Sequence, residues 1–404
     1  MRANLLLVLT VQPLTRHNFI RLGVNTKYKN WKIIYWNVLP LINLKIYKLF
    51  TRAGSRHKKN INYKEIFSLF DLIKKFKNIP KNFFYLNLGG DILLTSILDR
   101  CLFFLGGKKI SFNSGGEVNL KFYTKKNITN YINKNNFFKI VLRTSLMFYK
   151  KIINIISLKI GSTKPALGFA FNSNIYKKIK KQYREKNLIK IDAAEVELFL
   201  KNKKKTYKHK NIVFIDDVVE NSFDYKLGYA QDDERKAEDY WDPIKEFLNL
   251  IKLKFTDHKI IIAAHHRRNK NDKPINEYKF FFDKTSELIK NSKLVLCHNS
   301  LACQIAVLYK KPIIFLTSDY YKNFHYHSYL LTKQLAKTLG TQCLHIEKKL
   351  TSKSLMLKKF QTININVKKY ENYRKKYIQF PELKTYGRWK TILKHLDDKR
   401  FIKL

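Results

Sequence analysis

Apolar stretches of strand length alternate with amphipathic helices along most of this chain. Strands that are separated by helices pair in parallel, through right-handed crossovers. In the second half, the pattern predicts strands at 211–216, 259–264, 293–297 and 312–316, with helices at 237–254, 283–291 and 301–309 between them. The sequence therefore predicts an α/β fold in which a parallel sheet is covered by helices.

The first half repeats this alternation, and the whole chain of 404 residues is long enough for two domains. Strands are predicted at 5–9, 32–36, 82–88, 109–112 and 166–171, and helices at 15–27, 63–77 and 92–105. The lysine-rich run KNKKKTYKHK is typical of a solvated linker. We predict two Rossmann-like domains facing a cleft, at residues 1–200 and 211–367, joined by the basic linker 201–210 and followed by a helical tail, 368–404, that packs back across both.

The charge of the chain is extreme, with 80 Lys and Arg against 31 Asp and Glu and a formal net charge of +49. A hydrophobic fraction of 45% excludes a disordered chain. Basic surfaces attract nucleic acids and anionic membranes. The lysines are spread over the whole chain, and no RNA-recognition, zinc-finger or helix-turn-helix signature is present. We therefore expect an anionic membrane surface as a partner and no specific nucleic acid.

Polar residues follow three of the predicted strands in the second half. His298, Asn299 and Ser300 lie between a strand and a helix, and Ser300 is a good N-cap. The first turn of a capped helix offers unpaired N–H groups to a phosphate. This segment predicts a phosphate cradle, and an ordinary strand–helix–strand unit with a polar turn is the alternative.

The other two polar clusters strengthen the prediction of a site. Strand 259–264 is followed by His265, His266, Arg267 and Arg268, and strand 211–215 is followed by Asp216 and Asp217. Ligands bind at the carboxyl ends of the strands of open α/β sheets. We expect these clusters to meet in one anion site that carries acid–base groups.

These segments resemble the GT-B class of glycosyltransferases, and more narrowly bacterial surface-carbohydrate biosynthesis proteins. The resemblance covers most of the chain at the level of pattern. It is carried by PLTRHNFIRLGV, IVFIDD, IIIAAHHRR and CHNSLACQIAVLYKKPIIF, at residues 13–24, 212–217, 260–268 and 297–315. The second half also resembles bacterial sialyl- and polysialyltransferases, whose histidine and serine match His265 and Ser300, whereas His266 stands in place of their proline.

The resemblance implies transfer of a sugar from a nucleotide-sugar to a glycan or lipid-linked acceptor, in capsule or lipopolysaccharide synthesis. Residues 1–200 would form the acceptor-side domain and residues 211–367 the nucleotide-sugar-binding domain. No bound cofactor or metal is expected, and no DxD motif lies in a convincing loop. The donor would be held by Asp216, His265, Arg267, His298, Asn299 and Ser300.

Inverting sugar transfer also needs a base that deprotonates the acceptor. Two residues that follow predicted strands of the first half are candidates, His17 and Asp91. Either of them is alternatively a helix-capping residue.

The chain is expected to be cytoplasmic and peripheral at the inner membrane. No uninterrupted apolar run reaches the 18 residues of a spanning helix. MRANLLLVLTV is predicted to be the first strand, with a short signal peptide as the alternative. The apolar, lysine-bearing segment 136–161 is either a pair of core helices or a surface that rests on anionic lipid.

Two other classes of function remain open from the sequence. A nucleotide-sugar 2-epimerase would share the two-domain architecture. A basic polyanion-binding protein would account for the charge, and its binding would depend steeply on salt.

Overall fold

The computed structural model describes residues 4–11, 19, 22–24, 26–45, 47–48, 62–89, 93–113, 152, 155, 165–201, 211–221, 236–347, 364–383 and 387–398. These residues form two sheets, of seven and six strands. Every strand in each sheet pairs in parallel with its neighbours. The predicted α/β class, with two Rossmann-like domains facing a cleft as in the GT-B architecture, is confirmed.

The first sheet has the order β3-β2-β1-β4-β5-β6-β7, and the second has the order β10-β9-β8-β11-β12-β13. The strands of the first are β1 Asn4–Thr10, β2 Trp31–Asn37, β3 Tyr63–Glu65, β4 Phe84–Asn87, β5 Lys108–Asn113, β6 Leu167–Ala170 and β7 Leu188–Lys190. Those of the second are β8 Asn211–Ile215, β9 Lys259–Ala263, β10 Lys279–Phe281, β11 Ser292–Cys297, β12 Ile313–Ser318 and β13 Gln342–Ile346.

The helices cover both faces of these sheets. In chain order they are α1 Leu39–Ile42, α2 Leu69–Phe76, α3 Leu93–Phe104, α4 Ser173–Ile179, α5 Ala194–Lys201, α6 Ala237–Lys254, α7 Thr285–Lys290, α8 Cys303–Leu308, α9 Asp319–Phe324, α10 Tyr326–Leu339, α11 Val367–Tyr373 and α12 Arg388–Asp397. A π-helical turn, Arg374–Ile378, continues α11.

Successive side chains of each central strand enter opposite cores, because side chains alternate across a sheet. In the first sheet, Leu6 and Val8 pack with α12. Leu5, Leu7 and Leu9 pack on the other face, with α2 and α3. The second sheet is built the same way: one of its cores includes residues of α6 and α9, and the other includes residues of α8, α10 and α11. Burial on both faces explains why central strands such as β1, β9 and β12 contain unbroken apolar runs.

The C-terminal tail packs back on both domains, as predicted. Tyr370 and Tyr373 of α11 lie in a core of the second sheet. Trp389 and Ile392 of α12 lie in a core of the first sheet. Residues 202–210 of the predicted linker are outside the described residues, so the predicted domain boundaries remain predictions.

The prediction of one helix over residues 63–77 is wrong at its start. Residues Tyr63–Glu65 form β3, which pairs with β2. Helix α2 begins only at Leu69, because the Ser68 hydroxyl accepts the Asp71 N–H at 3.1 Å and caps the helix there.

Some predictions fall mainly on parts of the chain outside the described residues. These are the helix at 15–27 and the segment 136–161, of which only residues 152 and 155 are described. Among the described helices, none combines the length and the hydropathy that crossing a membrane requires.

Candidate functional site

The predicted polar clusters meet at one edge of the second sheet. Strands β9, β8 and β11 are neighbours, so their carboxyl ends lie side by side. The backbone N–H of His265, after β9, donates to Asp216 Oδ2, after β8, at 3.1 Å. Asp217 accepts a hydrogen bond from the Ser300 hydroxyl, after β11. The expectation that these three strand ends form one constellation therefore agrees with the geometry.

Arg268 is the buried centre of this constellation. Its Nε and Nη2 donate to the two oxygens of Asp216, at 2.6 and 2.9 Å. Nη2 also donates to Glu220 Oε1 at 2.6 Å, and Nη1 donates to Asp272 Oδ2 at 2.8 Å. The guanidinium lies 5.1 Å from the ring centre of Trp241. Because the Arg268 guanidinium binds three carboxylates, it fixes the loop after β9 to the end of β8.

This network decides the charge of the two buried acids. Burial on its own would raise the pKa of Asp216, but the Arg268 guanidinium outweighs it and holds that pKa below its usual value. Burial raises the pKa of Glu220, and Arg268 offsets only part of that rise. Asp216 is therefore an ionised structural anchor. The sequence prediction placed it among the donor-binding residues, whereas its oxygens are bound to Arg268 and to backbone N–H groups.

Asp217 belongs to the predicted cluster but was not among the residues predicted to hold the donor. Burial and, to a smaller extent, neighbouring Asp216 raise its pKa to about 7, although the Ser300 hydrogen bond lowers it. Next to it, Val218 has a φ of 50°, which is strained for a β-branched residue. Strain of this kind is concentrated at functional sites. A half-buried carboxyl that titrates near neutral pH can donate or accept a proton at this edge of the sheet.

The predicted phosphate cradle differs from the observed turn. Helix α8 begins at Cys303 and has only six residues, and its N-cap is Ala302 rather than Ser300. The Ser300 Oγ accepts the Ala302 N–H at 3.4 Å and donates to Asp217. The prediction of Ser300 as the N-cap is therefore wrong, because its hydroxyl joins β8 to β11. Ser300 and Asn299 are both half-buried at the strand end.

His265, His266 and Arg267 form the partly exposed rim of the site. The Arg267 N–H donates to His265 Nδ1 at 3.3 Å, which leaves the His265 proton on Nε2 in the neutral ring. The two imidazole rings lie 4.2 Å apart. The rim therefore offers imidazole N–H groups and a guanidinium, which are donors suited to phosphate oxygens.

His298 lies below the site and not at its rim. It is fully buried, with Nδ1 2.6 Å from the Leu316 carbonyl and its ring stacked on Tyr321 at 4.2 Å. Burial lowers its pKa to about 4, so the ring is neutral at physiological pH. The predicted contact between His298 and a donor phosphate does not fit this position, because the side chain has neither exposure nor charge there.

Both predicted catalytic bases, His17 and Asp91, lie outside the described residues. One group in the described part of the chain has ligand atoms close enough together to hold a metal ion: Asp319, His345 and Glu347. His345 Nε2 lies 3.4 Å from Asp319 and 3.6 Å from Glu347. Both carboxylates are exposed, and exposed acidic groups of this kind are common without a metal.

Comparison with known proteins supports the fold. No protein-family profile matches the chain, and no curated protein sequence matches it. A variant of the wall teichoic acid polymerase TagF has a similar structure, with a TM-score of 0.53 at 11% identity over 99% of this chain and 89% of that one. Two further structures match with a TM-score of 0.42. The UDP-GlcNAc 2-epimerase of Methanocaldococcus jannaschii is 14% identical over 91% of this chain and 98% of its own.

The second is the spinosyn forosaminyltransferase SpnP, which is 9% identical over 93% of this chain and 94% of its own. Identities this low establish the fold alone. The similarity to TagF supports a GT-B-like fold and gives no support to the narrower resemblance to sialyltransferases. At the level of architecture, this chain is a two-domain α/β protein that is similar to GT-B glycosyltransferases.

Proposed function

We propose that this protein is a glycosyltransferase that transfers a sugar from a nucleotide-sugar to a glycan or lipid-linked acceptor. The pathway we propose is the biosynthesis of a surface polysaccharide such as capsule or lipopolysaccharide. One observation carries the proposal. Polar groups from three adjacent strand ends meet at the carboxyl edge of the second Rossmann-like sheet, with donors after β9 and β11 and carboxylates after β8. Nucleotides bind at this edge of open α/β sheets.

In this proposal the rim of the site binds the donor phosphates. His265 and Arg267 supply N–H donors, and Asn299 and Ser300 contribute side chains from the end of β11. Asp216 acts indirectly, because it fixes the backbone of His265 and the side chain of Arg268. These donors stabilise the leaving phosphate electrostatically, so we propose a reaction that needs no protein-bound metal.

Transfer also needs a base on the acceptor side, for which His17 and Asp91 remain the proposed candidates. If His17 is the base, His17→Ala should lower turnover about 10²- to 10⁴-fold with donor affinity nearly unchanged. Full activity of that variant would leave Asp91 as the candidate.

Nucleotide binding is the first test of the proposal. A thermal-shift screen with CMP, UDP, GDP and their sugars should show one nucleotide that stabilises the protein. Calorimetry with that nucleotide should then show weaker binding by His265→Ala and by Ser300→Ala, each by about 1 kcal/mol, or roughly fivefold. His258→Ala is the matched control, because His258 lies just before β9 at the opposite edge of the sheet.

The proposed donor site is wrong if His265→Ala and Ser300→Ala bind the nucleotide as tightly as the unchanged protein does. Product analysis then tests the reaction. Transfer of the sugar to an acceptor supports the proposal, whereas a change in sugar configuration without transfer identifies an epimerase. Binding only to polyanions, with no nucleotide effect, identifies a polyanion-binding protein.

We further propose that the protein works at the cytoplasmic face of the inner membrane, where a lipid-linked acceptor would lie. Helix α2 exposes Leu69, Phe70 and Ile73, with exposed fractions of 59%, 79% and 54%, beside Lys74. Helix α3 packs on the same face of the first sheet and exposes Phe104. Exposed apolar side chains beside lysines are suited to an anionic bilayer surface.

A further inference from the structure

A second basic site lies at the carboxyl edge of the first sheet. A cavity of about 400 Å³ lies between α4 with the end of β7 and the chain segment that follows α11. That volume is in the range of small-molecule sites. Four lysines line it, Lys177, Lys180, Lys190 and Lys375, against the single carboxylate of Glu382.

Contacts between distant parts of the chain build the walls of this cavity. The Ser173 hydroxyl donates to the Lys375 carbonyl at 3.0 Å. Just beside it, the Asn172 side chain caps α4 and also donates to the Tyr377 carbonyl at 3.1 Å. Phe380 is almost fully buried, and its ring lies edge-on to Tyr176 at 6.3 Å. The lysines are therefore carried by backbone that is held in place on both sides.

The charges in the cavity do not cancel. Lys190 Nζ lies 2.7 Å from Glu382 Oε1 and over the rings of Tyr176 and Phe380, so this lysine is neutralised and positioned. Within the described part of the chain, Lys177, Lys180 and Lys375 form no ion pair with a carboxylate. Three lysine side chains from two separate segments thus line one cavity. Their ammonium groups repel one another unless an anion binds between them.

We propose that this cavity binds a ligand that carries two or more phosphate groups. Lys177 and Lys180 would hold the phosphates from α4, and Lys375 would hold them from the opposite wall. Lysine is a point charge that binds phosphate without a fixed geometry. This property suits three side chains that come from two separate segments of the chain. The proposal does not depend on nucleotide-sugar binding at the second sheet. A free polyphosphate compound and a lipid headgroup offer the same chemistry.

The test uses inorganic tripolyphosphate as the probe, measured by calorimetry on the full chain in 150 mM NaCl. The triple variant Lys177→Gln, Lys180→Gln, Lys375→Gln should bind at least about tenfold more weakly. Its charge-matched control is Lys252→Gln, Lys259→Gln, Lys293→Gln. These lysines are exposed and lie in the last turn of α6 and at the amino ends of β9 and β11, opposite the carboxyl edge of the second sheet. The control should change affinity less than about twofold, because remote exposed charges are screened at this salt concentration.

A substitution that makes the cavity more positive distinguishes an effect of the cavity from an effect of the overall charge of +49. Glu382→Gln releases Lys190 and should tighten tripolyphosphate binding severalfold. Glu246→Gln makes the same change in net charge on the exposed face of α6 and should leave the affinity unchanged. Equal loss of affinity in both lysine triples, or no binding of tripolyphosphate and of anionic vesicles by the unchanged protein, would overturn the proposal.

Vesicles that contain cardiolipin, a lipid whose headgroup carries two phosphates, identify the source of the phosphate. If the cavity triple loses tripolyphosphate binding and keeps vesicle binding, the site takes a soluble phosphate compound. If vesicle binding is lost only in the cavity triple and tripolyphosphate does not bind, the site takes a lipid headgroup. Thermal unfolding of each variant should match the unchanged protein, because Lys177, Lys180 and Lys375 are exposed.

Discussion

At the scale of single residues, Arg268 shows what a sequence pattern can and cannot reveal. The run His265–Arg268 after a buried strand predicted a cluster of polar groups at the sheet edge, and the structure has that cluster. The pattern could not assign roles to two adjacent arginines. Arg267 lies at the half-buried rim, whereas Arg268 turns inward to three carboxylates. Which of the two is buried depends on Glu220 and Asp272, whose positions only the folded chain reveals.

Removal of the buried guanidinium should be strongly destabilising. Arg268→Ala leaves Asp216 and Glu220 buried without their partner, and we expect a loss of about 3–5 kcal/mol in the free energy of unfolding. Asp272→Asn removes only the ion pair between Arg268 and Asp272, whose side chain is 39% exposed, and should cost less than about 1 kcal/mol. Urea unfolding of both variants measures the difference. Similar losses in the two variants would contradict the central role of the buried pair.

Asp217 should make stability fall as pH rises toward neutrality. Its pKa is raised by burial to about 7 in the folded protein, against an ordinary value of 3.8. Between these two values the folded state holds a proton that the unfolded state has released, so rising pH favours unfolding. Asp192 contributes in the same direction, because burial also raises its pKa to about 7.

The measurement is the melting temperature from pH 4 to pH 8. Asp217→Asn should flatten part of the decline, since the amide does not titrate, and Asp192→Asn should flatten another part. Asp242→Asn is the control on α6. A pH profile of Asp217→Asn that is identical to that of the unchanged protein would show that Asp217 is ionised across the range.

At the scale of elements, prediction succeeded for the centre of each sheet and failed at its edges. All central strands were predicted, most of them from apolar runs that follow from burial on both faces. The four edge strands, β3, β7, β10 and β13, were not. Three of them have only three residues, and all four have partly exposed positions, so they carry no distinctive pattern. Helix α8 begins at Cys303 and not directly after Ser300, because the Ser300 hydroxyl bonds to Asp217.

Helix α12 should contribute substantially to the stability of the first domain, although it is distant in sequence. Trp389 is fully buried against the first sheet, edge-on to Tyr35. Trp389→Ala should therefore cost about 3–5 kcal/mol in unfolding free energy. Lys390→Ala changes the next, exposed residue of the same helix and should stay within about 0.5 kcal/mol.

The packing of Trp389 can be tested from the opposite side of the contact. A Cβ on Gly23 would clash with the Trp389 ring, and Gly23 also has a φ of 62°. Gly23→Ala should thus destabilise the first domain together with α12. Chemical unfolding followed by tryptophan fluorescence measures both variants. A stable Trp389→Ala protein would mean that the sheet does not depend on this helix.

At the scale of the whole molecule, the sequence predicted the architecture but not where the charged and apolar residues lie on its surface. Alternating strands and helices predicted two Rossmann-like domains, because that topology follows from local pattern and crossover handedness. The arrangement of charges depends on tertiary structure. The structure places exposed apolar residues of α2 and α3 on one side of the first domain, and the basic cavity at the edge of its sheet.

The exposed face of α2 and α3 should bind anionic membranes in a salt-dependent way. Electrostatic attraction falls as the Debye length shrinks from about 10 Å at 0.1 M salt to about 3 Å at 1 M. We expect the protein to sediment with phosphatidylglycerol vesicles at 0.1 M salt, to be released largely at 1 M, and to ignore neutral vesicles. Phe70→Ser should weaken sedimentation, because Phe70 is 79% exposed and would lie in the bilayer surface.

Phe324→Ser is the matched control for this prediction, since Phe324 is an exposed phenylalanine of α9 in the second domain, with 47% exposure. It should sediment with vesicles as the unchanged protein does. Equal effects of the two substitutions would remove α2 from the contact surface and leave only attraction by the general basic charge. Equal binding to neutral and anionic vesicles, or to neither, would contradict membrane attachment by charge. The excess of 80 basic over 31 acidic residues would then have no role in locating the protein at a membrane.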